Sequence, residues 1–301
     1  MTPGRIRLPA SIAPSEESIV FKDSSFFTQQ DATCSLPSPA EVRAAAKLTT
    51  DLHNPRRPRP VWFPTLNLVV KYGCEITIAE GQCLWAIRRL LPDVLPVPEV
   101  YGWCRDGDEV FIYMQMIRGP TLAARWGSLK TEEKIDICEQ LRRMVGTLAQ
   151  LEQDPEDQFV GHISRQPLLD TIFRNMSPAG PFPSIGSFHD WFVRSGRAPG
   201  DPPRPPHPMR SLLPDDASIT FTHGDLHRSN IIVSPEGEGA PRVLAIIDWH
   251  QSGWFPAYWE SCKARWTVRI GDEWVTEYLP RILKPCMQYD YWDFFVLKIG
   301  V

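Results

Sequence analysis

The sequence predicts an α+β fold, with a small antiparallel-sheet lobe carrying one helix ahead of a larger, mainly helical lobe. Three observations point there. Between Pro60 and Met116, short apolar runs alternate with turn signals around a single helical stretch. From Thr121 onward the apolar residues recur mostly at helical spacing. At 301 residues the chain is long enough for two lobes with a substantial core. The expected division is an irregular tail over residues 1–40, a small lobe over 41–117 and a large lobe over 118–301.

Composition narrows the function classes. Hydrophobic content of 43% and charged content of 23% are ordinary for a soluble globular protein. A net charge of -4 argues against a nucleic-acid surface. The nearest basic run, Arg56-Arg57-Pro58-Arg59, is short and broken by proline. No apolar stretch reaches membrane-spanning length, and a signal-peptide core is missing from the first residues. The 7 cysteines are scattered, without C-x-x-C spacing, which fits free thiols in a reducing cytosol.

Taken in order, residues 1–40 are rich in Pro, Ser, Gln and Asp, with one docked piece expected around Ile19 to Phe27. Val61-Trp62-Phe63 and Leu66 to Val70 read as antiparallel strands broken by Pro64-Thr65, the second ending at Lys71. A lysine at a strand end is ordinarily a solvated edge. Thr77 to Leu91 reads as a helix, with Glu80, Leu84, Ile87 and Leu91 on one face. Glu80 has two readings: it faces inward toward Lys71, or it closes a capping box onto the Thr77 amide. Asp106-Gly107 between apolar runs marks a hairpin. Its return strand, Val110 to Met116, leads into Gln115-Met116-Ile117-Arg118-Gly119.

In the second part, Thr121 to Trp126 starts a short helix. Ser128 or Thr131 caps a long one, carried by Ile135, Cys138, Leu141, Val145, Leu148 and Leu151 and ending near Asp154-Pro155. Gly161 to Gly186 is loop-rich, and Ser187 to Val193 opens another helix. His162 and His189 are read as structural or surface residues. The 30 prolines cluster twice, in the tail and in Ala198 to Asp216. That second cluster must be a loop, because proline lacks a donor and fixes φ. It is read as a tolerated insertion in preference to a substrate-side flap.

The informative stretch is Phe221 to Asp248. Ile231-Ile232-Val233 and Val243 to Ile247 read as two strands around the turn-rich Ser234-Pro235-Glu236-Gly237-Glu238-Gly239. Paired as a hairpin, they bring Asn230 and Asp248 to one edge, with Asp225 on the loop just before. Two carboxylates and an amide make an oxygen-rich corner that suits a hard octahedral cation such as Mg²⁺.

His223-Gly224-Asp225-Leu226-His227-x-x-Asn230, followed by Ile247-Asp248-Trp249, resembles the aminoglycoside phosphotransferase family, a branch of the protein-kinase-like bilobal fold. Gly253-Trp254-Phe255-Pro256 through Trp259-Glu260 is similar to its fungal subgroup. The Asp225 to Asn230 spacing matches that of the kinase catalytic loop. The resemblance implies phosphoryl transfer from ATP, with Mg²⁺, to a hydroxyl of a small molecule. It implies Asp225 as base and Asn230 and Asp248 as metal ligands. It further implies Lys71 on the nucleotide phosphates, Glu80 as its ion-pair partner, and Gln115, Met116 and Ile117 as the hinge against adenine. His223 is expected to brace the loop, and His227 or Arg228 to present positive charge to the transferred phosphate. A soluble monomer without nucleic-acid or membrane partners is expected.

Two departures stand out. No G-x-G-x-x-G precedes Lys71, and Gln82 stands where many members carry a second glutamate. Both favour the alternative of a non-catalytic, kinase-like nucleotide- or metabolite-binding module, which the intact Asp225, Asn230 and Asp248 oppose. Gly224-Asp225-Leu226-His227 also matches the opening of metallophosphoesterases, but their further G-D and G-N-H blocks are missing. Asp272, Glu273, Glu277, Asp290 and Asp293 would suit a cationic substrate, although a solvated helix face explains them as well.

Overall fold

The computed structural model describes residues 4–29, 34–48, 56–195, 207–269 and 271–300. The chain opens with β1 (Ile6–Arg7), β2 (Ile19–Val20), α1 (Ser25–Thr28) and α2 (Pro39–Ala46). The small lobe follows as β3 (Val61–Phe63), β4 (Leu68–Gly73), α3 (Ile78–Leu90), β5 (Val100–Asp106) and β6 (Glu109–Gln115). Its sheet has the order β2-β5-β6-β4-β3, antiparallel throughout.

Alternation along β4 decides what faces the cleft. Leu68, Val70 and Tyr72 pack outward with Val42 of α2 and with Phe111 and Tyr113 of β6. Val69 packs on the opposite face with Leu84 and Ile87 of α3. Lys71 has the same parity as Val69, so the pleat sends it to the α3 side. The strand runs on to Gly73, two residues beyond the expected end, which places Lys71 inside a strand.

The large lobe contains α4 (Leu122–Arg125), α5 (Thr131–Leu148), β7 (Leu151–Glu152), α6 (Ile185–Arg194), β8 (Ile219–Thr222), β9 (Ile231–Val233), β10 (Val243–Ile246), β11 (Gly253–Pro256), α7 (Trp259–Trp266), α8 (Leu279–Ile282) and α9 (Tyr289–Ile299). Together with the small sheet this is a protein-kinase-like bilobal fold. One apolar cluster runs from α3 through the lobe junction to α5 and the β9–β10 hairpin. A second, largely aromatic cluster gathers Phe188, Phe192, Trp259, Trp292 and Phe295 in the lower part of the large lobe.

Several local expectations need correction. Lys130, not Ser128 or Thr131, caps α5, its N–H donating to the Glu133 carboxylate at 2.8 Å. That helix stops at Leu148, and Leu151 leaves the helical register to pair in parallel with Ile6 of β1. The tail thus docks on both lobes, through β1 on the large one and β2 on the small one. Part of the proline-rich segment, residues 196–206, lies outside the described residues; Pro208–Leu212 form a 3₁₀ turn. No helix among the described residues is long and apolar enough to cross a membrane.

Candidate active site

The corner expected from the hairpin is present. Ile231 pairs with Ile246 across β9 and β10, and the Ile247 N–H donates to the Asn230 carbonyl at 2.9 Å. Asn230 and Asp248 therefore leave the hairpin at the same edge. Asp248 itself has φ 65, a left-handed conformation that aspartate tolerates better than most residues. Asn230 Nδ2 donates to the Asp225 carbonyl at 3.0 Å and to Asp225 Oδ2 at 3.1 Å.

The loop carrying Asp225 is held from below. Glu260 of α7 accepts through Oε2 from the N–H groups of His223 (2.6 Å) and Gly224 (3.2 Å). His223 Nε2 donates to the Ile247 carbonyl at 3.0 Å, so its Nδ1 is free to accept from the Asp225 N–H at 3.1 Å. Burial holds that imidazole below its ordinary pKa, despite the charge of Asp225 nearby. His223 is thus a neutral brace with both nitrogens in use. Gly224 has φ 75, and a Cβ there would stand 2.5 Å from the Gln251 carbonyl, so no other residue fits.

Asp225 stays ionised. Burial raises its pKa, but His227, His223 and Lys263 more than offset this and hold it below the usual carboxylate range. His227 Nε2 lies 3.6 Å from Asp225 Oδ2, an ion-pair distance rather than a hydrogen bond. Arg228 is drawn away. Its Nη2 lies 2.5 Å from Asp272, and the guanidinium sits over the rings of Trp126 and Trp274. Glu273 is likewise engaged, by Lys134 at 2.7 Å and by the Trp126 indole at 2.6 Å. Asp272 and Glu273 are therefore not free to receive a cationic substrate.

Lys71 lies between two carboxylates, with Glu80 Oε1 at 2.5 Å and Asp248 Oδ1 at 2.7 Å. Thr77 makes no side-chain cap, so Glu80 serves the ion pair and not a capping box. Burial acts against the Lys71 charge, but the two carboxylates outweigh it and raise the pKa. Asp248 behaves conversely: burial raises it, while Lys71 and Arg57 carry it well below the usual range. Glu80 is pushed up, by burial first and by the Asp248 charge, because one ammonium cannot neutralise both acids. Gln82 does not join the set; it bonds the Pro14 carbonyl at 2.8 Å and the Gln166 amide at 2.7 Å.

Two cavities lie near this corner, one lined by Lys71 and Asp248, the other by Arg57 and His250. One is a narrow apolar slot of about 80 Å³ whose lining includes Trp62, Val69, Lys71, Met114, Gln115, Met116, Ile117, Ile232, Ile247 and Asp248. It brings the expected hinge residues together with Lys71. The other is an open cleft of about 820 Å³ between Arg56, Arg57 and Thr77 of the small lobe and residues 166–178 of the large one. Its floor is a buried network in which Lys263 Nζ meets Asp170 Oδ1 at 2.7 Å and Gln251 Oε1 at 3.0 Å. Gln251 Oε1 also accepts from the Thr171 N–H at 3.0 Å and its hydroxyl at 2.9 Å.

The donor set at the corner fits a hard, oxygen-preferring cation. Asp248 Oδ2 has no partner among the described residues, and Asn230, having spent its NH₂ on Asp225, has its carbonyl oxygen left over. No cluster of three or more His, Cys, Asp or Glu suited to a metal occurs among the described residues.

Sequence reasoning missed Glu260 as the loop anchor, Arg57, and the Asp170–Lys263–Gln251 floor. Arg57 was visible only as part of a basic run. Glu260 showed only a helix-start position, and nothing local marked the floor.

The description "Phosphotransferase enzyme family" matches residues 78–283. No curated protein matches. Among solved structures, a thermostable mutant of aminoglycoside phosphotransferase APH(4)-Ia in complex with AMP-PNP and hygromycin B is 15% identical, with a TM-score of 0.47, covering 77% of this chain and 76% of that one. The aminoglycoside phosphotransferase APH(3'')-Id of Streptomyces rimosus is 16% identical, with a TM-score of 0.43, covering 79% and 87%. A fructosamine-3-kinase homologue from Haemophilus somnus is 14% identical, with a TM-score of 0.42, covering 76% and 73%. On the family match, which spans more than half of its length, the chain belongs to the phosphotransferase enzyme family.

Proposed function

We propose that this chain transfers the γ-phosphate of ATP to a hydroxyl of a small molecule, with Asp225 as base. The observation that carries the reading is the meeting of Asp225, Asn230 and Asp248 beside the Lys71–Glu80 pair, with Lys71 and Asp248 lining the apolar slot. The base of the nucleotide enters the slot between Trp62 and Val69 above and Ile232 and Ile247 below. At about 80 Å³ the slot is smaller than ligand pockets usually are, so Trp62, 58% exposed at its edge, moves aside. The Met116 N–H is already bonded to the Asn67 carbonyl at 3.0 Å, which directs the adenine edge to the backbone that follows.

Lys71 holds the phosphates, and Glu80 holds Lys71. Asp248 and Asn230 would ligate Mg²⁺, which neutralises phosphate charge as the bond to the leaving oxygen breaks. The acceptor enters through the open cleft and places its hydroxyl on Asp225, which accepts the proton. Three guanidinium groups (Arg56, Arg57, Arg174) line that cleft, against one carboxylate, Glu75, that is not fully buried. A polycationic aminoglycoside is a poor match for this charge, and family alone does not fix the substrate.

Asp225→Asn tests the reading. A general base contributes about 10²–10⁴-fold, so phosphate transfer from ATP should fall by that factor while the variant stays folded and binds nucleotide. Undiminished turnover would refute the assignment. Thermal shifts with MgATP, metal-free ATP and no ligand test the cofactor: stabilisation should require both nucleotide and magnesium. Binding without any turnover in the unaltered protein would instead support the non-catalytic module.

A further inference from the structure

A Gly-rich loop is missing ahead of Lys71, yet the topology fixes where such a loop would lie. Val61, the first residue of β3, pairs with Val70, so the chain entering β3 runs level with Lys71 to Gly73. That entering segment is Arg57-Pro58-Arg59-Pro60. It is anchored just upstream, where the Glu75 N–H donates to the Arg56 carbonyl at 2.9 Å. Gly73 (φ 134) permits the approach, since a Cβ there would stand 2.6 Å from the same carbonyl and 2.8 Å from Pro58. The two prolines restrict the backbone further.

Arg57 projects from this segment over the corner. Its Nη2 lies 3.4 Å from Asp248 Oδ1 and its Nη1 3.2 Å from His250 Nε2. Asp248 Oδ1 already receives Lys71 at 2.7 Å, so two cations converge on one carboxylate oxygen. Lys71 also pairs with Glu80, which leaves Arg57 as the outer and more loosely held cation of the corner. A guanidinium has five N–H groups, and only two contacts of Arg57 are made among the described residues. Arg57 also lines the open cleft, whereas Lys71 lines the slot. Arg57 thus links the two, lining the cleft and contacting Asp248, which lines the slot.

We infer that Arg57 binds the terminal phosphate of the nucleotide and stabilises it during transfer, in place of the missing glycine loop. The inference rests on the phosphoryl-transfer reading. In that step the bond from the γ-phosphorus to its bridging oxygen breaks, and ADP leaves with the electron pair. A bond forms from the acceptor oxygen to the γ-phosphorus, and the hydroxyl proton goes to Asp225. Arg57 exchanges no proton; it spreads charge-assisted hydrogen bonds over the equatorial oxygens.

Calorimetric titration of the unaltered protein, Arg57→Ala and Arg57→Lys with Mg·ADP and Mg·AMP-PNP tests this. A charge-assisted bond to the terminal phosphate predicts a loss of about 10- to 100-fold for AMP-PNP in Arg57→Ala, and less than about threefold for ADP. Arg57→Lys should recover part of the difference. Slow ATP hydrolysis should fall by about 10³-fold or more, as for other arginines on a transferring phosphoryl group. A thermal midpoint within about 2 °C of the unaltered protein confirms the fold. Equal losses for both nucleotides, or none, overturn the inference while leaving the phosphoryl-transfer reading intact. Failure of the unaltered protein to bind either nucleotide overturns both.

Discussion

The two cavities near Asp248 are built in different ways. The slot is walled by regular elements, β3, β4, β6 and the β9–β10 hairpin, and its lining is mostly apolar. The open cleft is walled by loop residues 166–178 and the segment entering β3, and its lining mixes charged and polar groups with apolar ones such as Leu168, Leu169 and Phe173. Strand pleat and hydrogen-bond register determine the first. The second is held by side chains from distant parts of the chain, above all the Asp170–Lys263 pair, which is 0% exposed on both sides. A purine needs only an apolar sandwich and a backbone edge, whereas an acceptor must be told apart by its polar groups. The variable chemistry belongs on the loop-built side.

That contrast can be broken by attacking each side separately. The largest effect should come from Lys263→Met. It leaves the Asp170 carboxylate without its cation, although the Trp259 indole and the Ile172 N–H still donate to it. Removing one partner of a buried pair costs about 3–5 kcal/mol. Urea unfolding should show that loss, with ADP affinity unchanged in the folded fraction. A loss below about 1 kcal/mol would mean the cleft floor is not held this way.

Glu260 sharpens the comparison, because it supports the loop that carries Asp225. Burial, offset in part by the two backbone donors, raises its carboxyl from 4.5 to about 7. Its folded pKa lies above its unfolded one, so the folded state keeps the extra proton between those values. Stability from this group is present at low pH and lost as pH rises through about 7, by about 3 kcal/mol for such a shift. Glu260→Gln keeps an acceptor for His223 and Gly224 but has no proton to lose. The stability of the variant relative to the unaltered protein should therefore rise from pH 5 to pH 8 in denaturant titrations. A flat difference would sink the idea. The smallest effect belongs to the slot: Trp62→Ala should weaken ADP by roughly 10-fold through lost stacking. It should leave unfolding free energy within about 0.5 kcal/mol, because Trp62 is 58% exposed.

The parts of the site legible in the sequence are those encoded over a few residues. The β9–β10 hairpin and the helical face carrying Glu80 follow from periods of 2 and 3.6, whereas Lys71 was expected at a strand end and lies inside β4. Where periodicity ran past its element it misled. Leu151 continues the spacing of α5, yet pairs with Ile6 of the tail. Glu80 fitted a capping box equally well, and only the fold shows it 2.5 Å from Lys71.

The order of the lobes, the strand register around Asp225, Asn230 and Asp248, and the family were all readable from neighbouring residues. It took the folded chain to reveal that Glu260 anchors the loop, that Arg228 is spent on Asp272, that Lys263 closes on Asp170 and that Arg57 reaches Asp248. Periodicity, turns and caps act within about a dozen residues and leave a local trace. An ion pair joining residues 93 or 191 positions apart leaves none, because its partners meet only when the whole chain packs.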